Sequence, residues 1–276
     1  ASKHNIPLIV DLRDGWLDEP LQMNFMSKFT LRKKYEASLE KKIYEYASKI
    51  FVTSANWKKL LDERIPTIST KTSIITNAYP NHYSAIEKTK KDQEYSNQIS
   101  LLYTGRLVGS RQKRKASFLF VPFIMTKGNN QYSISIKIVG DLRREDKAEL
   151  VKIQSGDNNF EVSTSNYVPP SELSNLLESA HGLLLLTVSL NVIPAKFFEY
   201  ILSKKPVLAI TNKFSSVWEL SKELPQFFVY ELDGDAKKND QIFGEFLNAC
   251  NTGNYEFNIP TQYSEEYIKV KFCKNI

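Results

Sequence analysis

Short apolar strands alternate with helices along the chain after residue 99, and this alternation constrains the fold more than any other feature. Right-handed crossovers between such strands produce a mostly parallel sheet with helices on both faces. The sequence therefore predicts a doubly wound α/β fold in this region. The expected elements are strands at 99–104, 133–139, 160–163, 183–188 and 206–210, and helices at 116–127, 144–155, 171–180 and 194–203.

A shorter unit with the same alternation precedes this region. The stretch 84–98 between them is polar and lysine-rich and lacks apolar periodicity, which is typical of a linker. In the first unit we expect strands at 7–12, 50–53 and 73–75 and helices at 28–48 and 57–64. The predicted organisation is a first α/β domain at 1–83, the linker at 84–98, a second α/β domain at 99–262 and a C-terminal helix at 263–276.

The charge balance favours an anionic partner. Lysine and arginine number 37 against 31 aspartates and glutamates, which gives a net charge of +6. Such a charge attracts nucleotides, membrane surfaces and nucleic acids alike. Basic residues interleaved with aromatics, or a known nucleic-acid module, are not found, so no nucleic-acid partner is expected.

The sequence also restricts the cofactor and the location that we expect. No histidine and cysteine cluster or carboxylate pair has the spacing of a metal site, so no metal is expected. No apolar run reaches the roughly 20 residues of a spanning helix. We therefore expect a cytoplasmic protein, with peripheral contact at the inner face of the cell membrane as an alternative.

The segment 193–210 (IPAKFFEYILSKKPVLAI) opens a helix with a proline and a lysine and carries Glu199 inside that helix. A helix N-terminus presents unpaired N–H groups and a positive partial charge, which suit an anion. The helix follows an apolar strand, where α/β sheets bind phosphorylated ligands. A plain structural alternative is a helix capped by Asn191, with Phe197 and Tyr200 in the core and Glu199 in solvent.

Three further loops follow parallel strands and are expected to open on the same sheet edge. Charge-assisted hydrogen bonds to phosphate are about twice as strong as neutral ones, so basic loops there predict a diphosphate site. The basic run 111–115 after the first loop is equally consistent with a solvated surface. The three loops contain Gly105 and Arg106, then Gly140 and Asp141, and then Tyr167 and Val168.

These blocks resemble the donor-binding domain of GT-B glycosyltransferases, and in particular the large retaining family that builds bacterial lipopolysaccharide and capsular sugars. The blocks are 103–107 (YTGRL), 138–141 (IVGD), the turn 167–169 and 193–210. The earlier segments 6–16, 47–54 and 74–79 are similar to the acceptor domain of that family. The resemblance implies two Rossmann-like domains with the active site in the cleft between them.

The resemblance also implies roles for individual residues. Arg106 and a second cation, Arg111 or Lys113, would neutralise the diphosphate of a UDP- or GDP-sugar. Glu199 would bind the ribose, and Asn191 would contact the sugar that is transferred to a glycan or lipid-linked acceptor. The other implied donor contacts are Gly105, Gly140, Asp141, Tyr167, Val168, Ile193, Pro194, Ala195 and Lys196.

Two features depart from the family pattern. Asn191 stands where the family has a glutamate, so the charge is missing. The first domain lacks an upstream half with a glycine-rich loop and a histidine, and neither His4 nor His82 replaces that histidine. We therefore expect an incomplete first domain, and a sugar-nucleotide epimerase or a noncatalytic nucleotide-sugar-binding subunit remain alternative functions.

Other side chains have two interpretations each. Asp11, Arg13 and Asp14 at the end of the first strand are either acceptor contacts or members of a surface ion pair. The helix 28–48 has a lysine-rich face opposite an apolar face. The lysine-rich face either is solvated or contacts anionic lipid. His181 is expected to interact with a helix C-terminus rather than to act as a base. The predicted apolar face consists of Leu31, Tyr35, Leu39, Ile43, Tyr46 and Ala47.

Overall fold

The computed structural model describes residues 6–17, 30–79, 97–107, 116–125, 132–155 and 160–276. Within these ranges the chain forms a three-stranded sheet and a six-stranded sheet. Every strand pair in both sheets is parallel. The basic run 111–115 and most of the predicted linker lie outside the described residues.

The three-stranded sheet contains the beginning of the chain and has the strand order β1-β2-β3. Its core is formed by Ile50, Val52, Trp57, Leu61 and Ile68, all of which are buried. Full burial of such side chains contributes roughly 1.5–3 kcal/mol each. The elements are β1 (Ile9–Leu12), α1 (Thr30–Tyr46), β2 (Lys49–Val52), α2 (Ala55–Arg64), a 3₁₀ helix (Pro66–Lys71) and β3 (Thr72–Ile74).

Helix α1 packs through a different face from the one that the apolar spacing predicts. Leu31, Tyr35 and Tyr46 are 82%, 69% and 70% exposed, respectively. The buried side includes Glu40, whose carboxylate lies 3.2 Å from the Arg64 guanidinium of α2. Tyr44 and Ala47 on the same side pack in the core with Trp57 of α2. The buried face of α1 is therefore set by apolar contacts together with this ion pair, because a buried carboxylate needs a charged partner. The predicted apolar face was therefore wrong for these three residues.

The six-stranded sheet has the order β6-β5-β4-β7-β8-β9. From β4 the chain adds β5 and β6 on one side and then β7, β8 and β9 on the other, so the order of strand addition reverses between β4 and β7. Ligands of open α/β sheets bind at such a reversal, outside the carboxyl ends of the strands. The strands are β4 (Gln98–Thr104), β5 (Ser133–Val139), β6 (Phe160–Ser165), β7 (Gly182–Thr187), β8 (Val207–Thr211) and β9 (Phe227–Glu231). The helices are α3 (Ser117–Met125), α4 (Arg144–Gln154), α5 (Pro170–Ser179), α6 (Ala195–Leu202), α7 (Ser216–Ser221) and α8 (Ala236–Thr252).

The central strands β7 and β8 are buried at every position. Helices cover both faces of a parallel sheet, so its inner strands are continuous apolar runs rather than alternating ones. This explains why 183–188 and 206–210 could be recognised as strands. Hydrophobic clusters lie on the two faces of the sheet, one around Phe120, Phe243 and Phe246 and the other around Phe197 and Ile201.

No element was predicted between 211 and 263, where the structure has α7, β9 and α8. The signal for α8 was present, because Phe243, Phe246, Leu247 and Cys250 have helical spacing and are all buried. Helix α7 has six residues, which is too short for apolar periodicity to identify.

The C-terminal segment returns to the three-stranded sheet. The Tyr79 N–H donates to the Tyr263 carbonyl oxygen at 2.8 Å. In helix α9 (Glu265–Asn275), the Phe272 ring lies 4.9 Å from the Phe51 ring of β2, centroid to centroid. These contacts join the two ends of the described chain. Among the described helices, none combines the length and the hydrophobicity that crossing a bilayer requires.

His181 lies after α5, and its imidazole contacts Ser100 of β4 instead of the C-terminus of that helix. The Ser100 N–H donates to Nδ1 of the imidazole at 3.0 Å, so this nitrogen carries no proton. Burial, and secondarily the charge of Lys205, lower the pKa of His181. The imidazole is therefore neutral and acts as an acceptor that connects the end of α5 to β4.

This arrangement predicts a pH dependence of stability. The pKa of His181 is lower in the folded protein than its ordinary value of about 6.5, so the unfolded chain binds the proton more readily. The contribution of His181 is complete above about pH 6.5 and is lost as the pH falls toward the lowered folded pKa. Between about pH 8 and pH 5, the melting temperature should decrease less for His181→Asn, which keeps an acceptor, than for the wild type. Thermal denaturation measures this difference. Parallel decreases for both proteins would contradict the assignment.

Candidate functional site

The carboxyl edge of the six-stranded sheet has adjacent turns that lie side by side. Beyond the end of β4, the Gly105 N–H donates to the Val139 carbonyl oxygen at 2.7 Å. Beyond the end of β5, the Gly140 N–H donates to the Ser165 carbonyl oxygen at 3.0 Å. The hydrogen-bond ladder thus extends one residue past the strands, and it holds these two turns in register at the point where the strand order reverses.

Both turns require glycine. Gly105 has a φ of +97°, a conformation that residues with a Cβ rarely adopt. A Cβ on Gly140 would lie 2.6 Å from the Gly105 carbonyl oxygen, closer than van der Waals contact allows. The two backbones therefore form a surface at the sheet edge without side chains of their own, and we call residues 105 and 140 the glycine floor.

Lys196, in the first turn of α6, brings a cation to this floor. Its ammonium group donates to the Thr104 carbonyl oxygen at 2.7 Å and lies 3.7 Å from the centroid of the Tyr103 ring. It is also 3.9 Å from the position that a Cβ on Gly105 would occupy. The sequence-predicted residues Gly105, Gly140 and Lys196 are therefore brought together at the sheet edge.

A buried tyrosine attaches α6 to the end of β4. The Tyr200 hydroxyl accepts a hydrogen bond from the Thr104 N–H at 3.3 Å and lies 2.9 Å from the Thr104 hydroxyl. Burial raises the pKa of Tyr200 far above its ordinary value, so the phenol stays protonated. Phe197 and Ile201 are also fully buried, and the position of α6 is thereby determined by the core.

Pro194, and not Asn191, occupies the N-cap position of α6, and no side chain caps this end. The positive end of the helix dipole therefore faces the sheet edge without a capping side chain. Phe197 and Tyr200 lie in the core, as the plain structural alternative expected, but Glu199 is half-buried rather than solvated.

Glu199 lies on α6, three residues after Lys196, and its side chain is half-buried. Burial raises the pKa of Glu199, and the nearby Lys196 charge acts in the opposite direction. Within the part of the chain that the structure describes, its carboxylate accepts no hydrogen bond. It is therefore available to accept hydrogen bonds from hydroxyl groups of a ligand.

Arg106 follows the glycine floor and has an anchored backbone and an exposed side chain. The Tyr103 hydroxyl donates to the Arg106 carbonyl oxygen at 2.8 Å. The guanidinium lies 3.8 Å from the Asp141 carboxylate, and both side chains are exposed. Exposed ion pairs contribute roughly 0–1 kcal/mol, so an anionic ligand can replace Asp141 as the partner of Arg106 at small cost.

The remaining predicted donor residues are dispersed. Tyr167 is exposed, and Val168 packs partly against the core. Ile193 is buried in the core, whereas Ala195 is exposed at the start of α6. Arg111 and Lys113 fall outside the described residues, as do His4 and His82.

The acceptor-side candidates lie at the carboxyl edge of the three-stranded sheet. The Arg13 guanidinium is 2.9 Å from the Asp11 carboxylate. The same guanidinium donates to the carbonyl oxygens of Ile75 and Thr76, at 3.1 and 3.2 Å. Arg13 therefore holds the segment after β3, while Asp14 is exposed nearby.

The loop between β7 and α6 has contacts that the sequence did not indicate. The Ser54 hydroxyl donates to the Asn191 carbonyl oxygen at 2.6 Å. The Asn56 side-chain amide donates to the carbonyl oxygens of Leu190 and Phe214, at 2.9 and 2.8 Å. Ser54 and Asn56 lie at the start of α2. No local signal relates them to residues more than 130 positions away.

In the ranges that the structure describes, no group of three or more histidine, cysteine, aspartate or glutamate side chains is arranged to hold a metal ion.

Comparisons with known proteins connect this chain to others through its fold. No protein-family model matches the sequence, and no curated protein matches it. Among solved structures, HepE of Anabaena in complex with UDP is 14% identical with a TM-score of 0.63, over 97% of this chain and 71% of that one. A glycosyltransferase from Rickettsia africae is 15% identical with a TM-score of 0.61, over 99% and 76% of the two chains.

A third similar structure is WaaG, a glycosyltransferase involved in lipopolysaccharide biosynthesis. It is 13% identical with a TM-score of 0.60, over 99% of this chain and 73% of that one. Identities this low establish the fold alone. The TM-scores of these structures confirm the expected α/β fold with parallel sheets of the GT-B type.

The close approach of the two glycine turns predicts the effect of an alanine substitution on stability, and a second alanine substitution should have the opposite effect. Gly140→Ala should lower the free energy of unfolding by about 1–3 kcal/mol, because the new methyl group overlaps the Gly105 carbonyl oxygen. Gly244→Ala, in the interior of α8 with no atom near its Cβ position, should instead stabilise by about 1 kcal/mol. Urea denaturation of both variants measures these changes. A stable Gly140→Ala protein would show that the close approach of the two turns is not maintained.

Proposed function

We propose that this protein is a glycosyltransferase that binds a nucleoside-diphosphate sugar at the carboxyl edge of the six-stranded sheet. The observation that carries this proposal is the placement of Lys196 and the uncapped start of α6 beside the glycine floor. A phosphate group fits a surface without side chains that has a cation and a helix N-terminus next to it. HepE, which has the same fold, was solved with UDP, and this similarity supports a nucleotide ligand.

The diphosphate is the part of the donor that this edge would stabilise. During transfer, the bond between the sugar and the diphosphate breaks, and negative charge develops on the departing nucleotide. Lys196 and the dipole of α6 are held in place before the reaction begins, and they would oppose that charge together with the exposed Arg106. Lys113 or Arg111 would add a further cation. We include no metal in the proposal, because cationic side chains of the chain provide the required charge.

The rest of the donor would follow from this placement. The half-buried Glu199 carboxylate would accept hydrogen bonds from the ribose hydroxyl groups. The backbone near Val168 would contact the base, which we propose to be uracil or guanine. Asn191 would donate to a hydroxyl group of the sugar without contributing a charge.

The acceptor would bind on the side of the three-stranded sheet. We propose that a glycan or lipid-linked acceptor approaches from the edge that carries Asp11, Arg13 and Asp14, and that the anomeric configuration is retained. A role in bacterial surface polysaccharide synthesis is supported by the resemblance of the sequence blocks and by the similarity to WaaG.

One observation favours a second candidate, a noncatalytic nucleotide-sugar-binding subunit. Asn191 replaces a charged family residue, and its carbonyl oxygen is engaged by Ser54. A protein of this kind would bind the nucleotide tightly and leave the donor unchanged with every acceptor. Isomerised donor without any acceptor would indicate an epimerase instead.

Substitutions of the charged residues around the glycine floor should weaken nucleotide binding. Arg106→Ala and Lys196→Met each remove a hydrogen bond from a charged group to phosphate, worth about 1.5–3 kcal/mol, which is roughly a tenfold or greater loss of affinity for UDP or GDP. Glu199→Ala should weaken binding by a similar factor through the ribose. Isothermal titration calorimetry measures these affinities.

The matched control is Lys152→Ala, in the last turn of α4 at the opposite edge of the sheet. It removes the same charge from the protein and should leave the affinity unchanged. Equal affinities in the wild type and all three site variants would disprove the site.

Helix α1 supports a further proposal, that the protein contacts the inner face of the cell membrane from the cytoplasm. Leu31, Tyr35 and Tyr46 project from this helix into solvent, and Lys34 and Lys42 are exposed nearby. Exposed apolar and aromatic side chains next to lysines suit the surface of an anionic bilayer.

Vesicle sedimentation tests this contact. Leu31→Glu and Tyr35→Glu should each reduce binding to vesicles that contain about 30% phosphatidylglycerol, because near an anionic surface each charge changes binding by about 1 kcal/mol, or roughly fivefold. Val151→Glu, at an equally exposed apolar position of α4, is the control and should bind like the wild type. The proposal fails if the wild type binds neutral and anionic vesicles equally.

A further inference from the structure

The loop 189–193, which we call the donor loop, leads directly into α6 and is held from both domains. Within the second domain, the Ser216 N–H donates to the Leu190 carbonyl oxygen at 2.8 Å. The Ser189 hydroxyl accepts from the N–H groups of Asn191 and Val192, at 3.3 and 3.2 Å. The Ser216 hydroxyl also donates to the carbonyl oxygens of Leu190 and Asn191, at 3.0 and 3.3 Å. Each of these two oxygens has a second lone pair for a donor from the first domain.

The first domain reaches the donor loop through the start of α2. Ser54 is the N-cap of this helix, and its side-chain oxygen accepts from the Trp57 N–H at 3.1 Å. The same hydroxyl donates a hydrogen bond to the Asn191 carbonyl oxygen at 2.6 Å. A single hydroxyl therefore caps α2 and binds the donor loop. Any movement of α2 relative to the second domain has to break one of these two hydrogen bonds.

Asn56 extends this contact to a second loop. Its amide group donates to Leu190 in the donor loop and to Phe214 in the loop after β8. Phe214 has a φ of +61°, an unfavourable conformation for a residue with a side chain. Asn56 therefore connects the loops after β7 and β8, and it binds one of them at a strained residue.

We infer that Ser54 and Asn56 are positioning residues that make the shape of the donor loop depend on the docking of the two domains. Neither residue lies at the glycine floor, so neither contacts the diphosphate under the proposed function, on which this inference rests. They act through the donor loop, which places Asn191 and the first turn of α6. Separation of the domains removes the donors from Ser54 and Asn56 and leaves the carbonyl oxygens of Leu190 and Asn191 with Ser216 alone. The loop is then held less firmly and nucleotide affinity falls, and bound nucleotide favours the docked state in return.

Asn56→Asp is the sharpest test of this inference. The side chain keeps its shape, and an acidic group in the first turn of α2 favours the helix. Both donated hydrogen bonds are lost, and the carboxylate faces two carbonyl oxygens. The matched control is Asn254→Asp, the same chemical change at an exposed loop residue.

Substitutions of Ser54 separate its two roles. Ser54→Asp keeps an acceptor for the cap of α2 but loses the proton given to Asn191, whereas Ser54→Thr keeps both. Ser54→Asp should therefore behave like Asn56→Asp, and Ser54→Thr should behave like the wild type. A role in helix capping alone would leave Ser54→Asp unchanged.

Two measurements decide the inference. Hydrogen exchange of the free protein should be roughly fivefold faster at 189–193 in Asn56→Asp, because the one hydrogen bond, of about 1 kcal/mol, that Asn56 donates to this loop is lost. The exchange of the central strands β7 and β8 should not change. Calorimetry with UDP and GDP should show roughly tenfold weaker binding. Asn254→Asp should change neither quantity.

The possible results distinguish this inference from the function on which it rests. Unchanged exchange at 189–193 in Asn56→Asp would show that the first domain does not hold the donor loop. Faster exchange with unchanged nucleotide affinity would overturn the coupling. If the wild type binds neither UDP nor GDP, the proposed function and the coupling fall, and the exchange data still decide whether Ser54 and Asn56 hold the loop.

Discussion

The attachment of α6 to the end of β4 is the contact on which the candidate site depends. Tyr200 and Lys196 lie one turn apart on α6, and both bind Thr104, one through the buried phenol and the other through the ammonium group. The helix start is therefore held beside the two glycine turns by hydrogen bonds as well as by apolar packing. Because a parallel sheet brings the carboxyl ends of its strands to one edge, this single attachment combines a backbone surface, a cation and a helix dipole.

The same edge meets the first domain. Two elements make this contact. Ser54 and Asn56 at the start of α2 bind the loop after β7, and Phe272 of α9 packs against Phe51 of β2. Asn191 lies in the resulting contact, and its carbonyl oxygen is occupied by a serine of the other domain. A ligand bound at the start of α6 would therefore be adjacent to the domain contact. Under the proposed function, a binding event there and a change in the domain arrangement would be linked through a loop of a few residues.

Much of the second domain could be predicted because its physical signals are local. Strand β5 was predicted with the bounds that the structure has, 133–139, since an apolar run between polar turns is recognisable without its neighbours. The start of α6 was predicted from its proline and lysine to within one residue. Helix α1 shows the limit of this reasoning. Its rotation depends on Arg64 from another helix, so Leu31 and Tyr35 were assigned to the wrong environment.

The sequence by itself determined the α/β alternation, the parallel sheet and the set of loops at its carboxyl edge, because these follow from apolar periodicity and turn residues along the chain. It also singled out Arg106, Lys196 and Glu199 as candidate ligand-binding residues. Only the tertiary structure decided that Lys196 lies at the glycine floor, that His181 is a neutral acceptor, and that Ser54 and Asn56 hold the donor loop. Each of these depends on a contact between residues far apart in the chain, and such contacts leave no local pattern in one sequence.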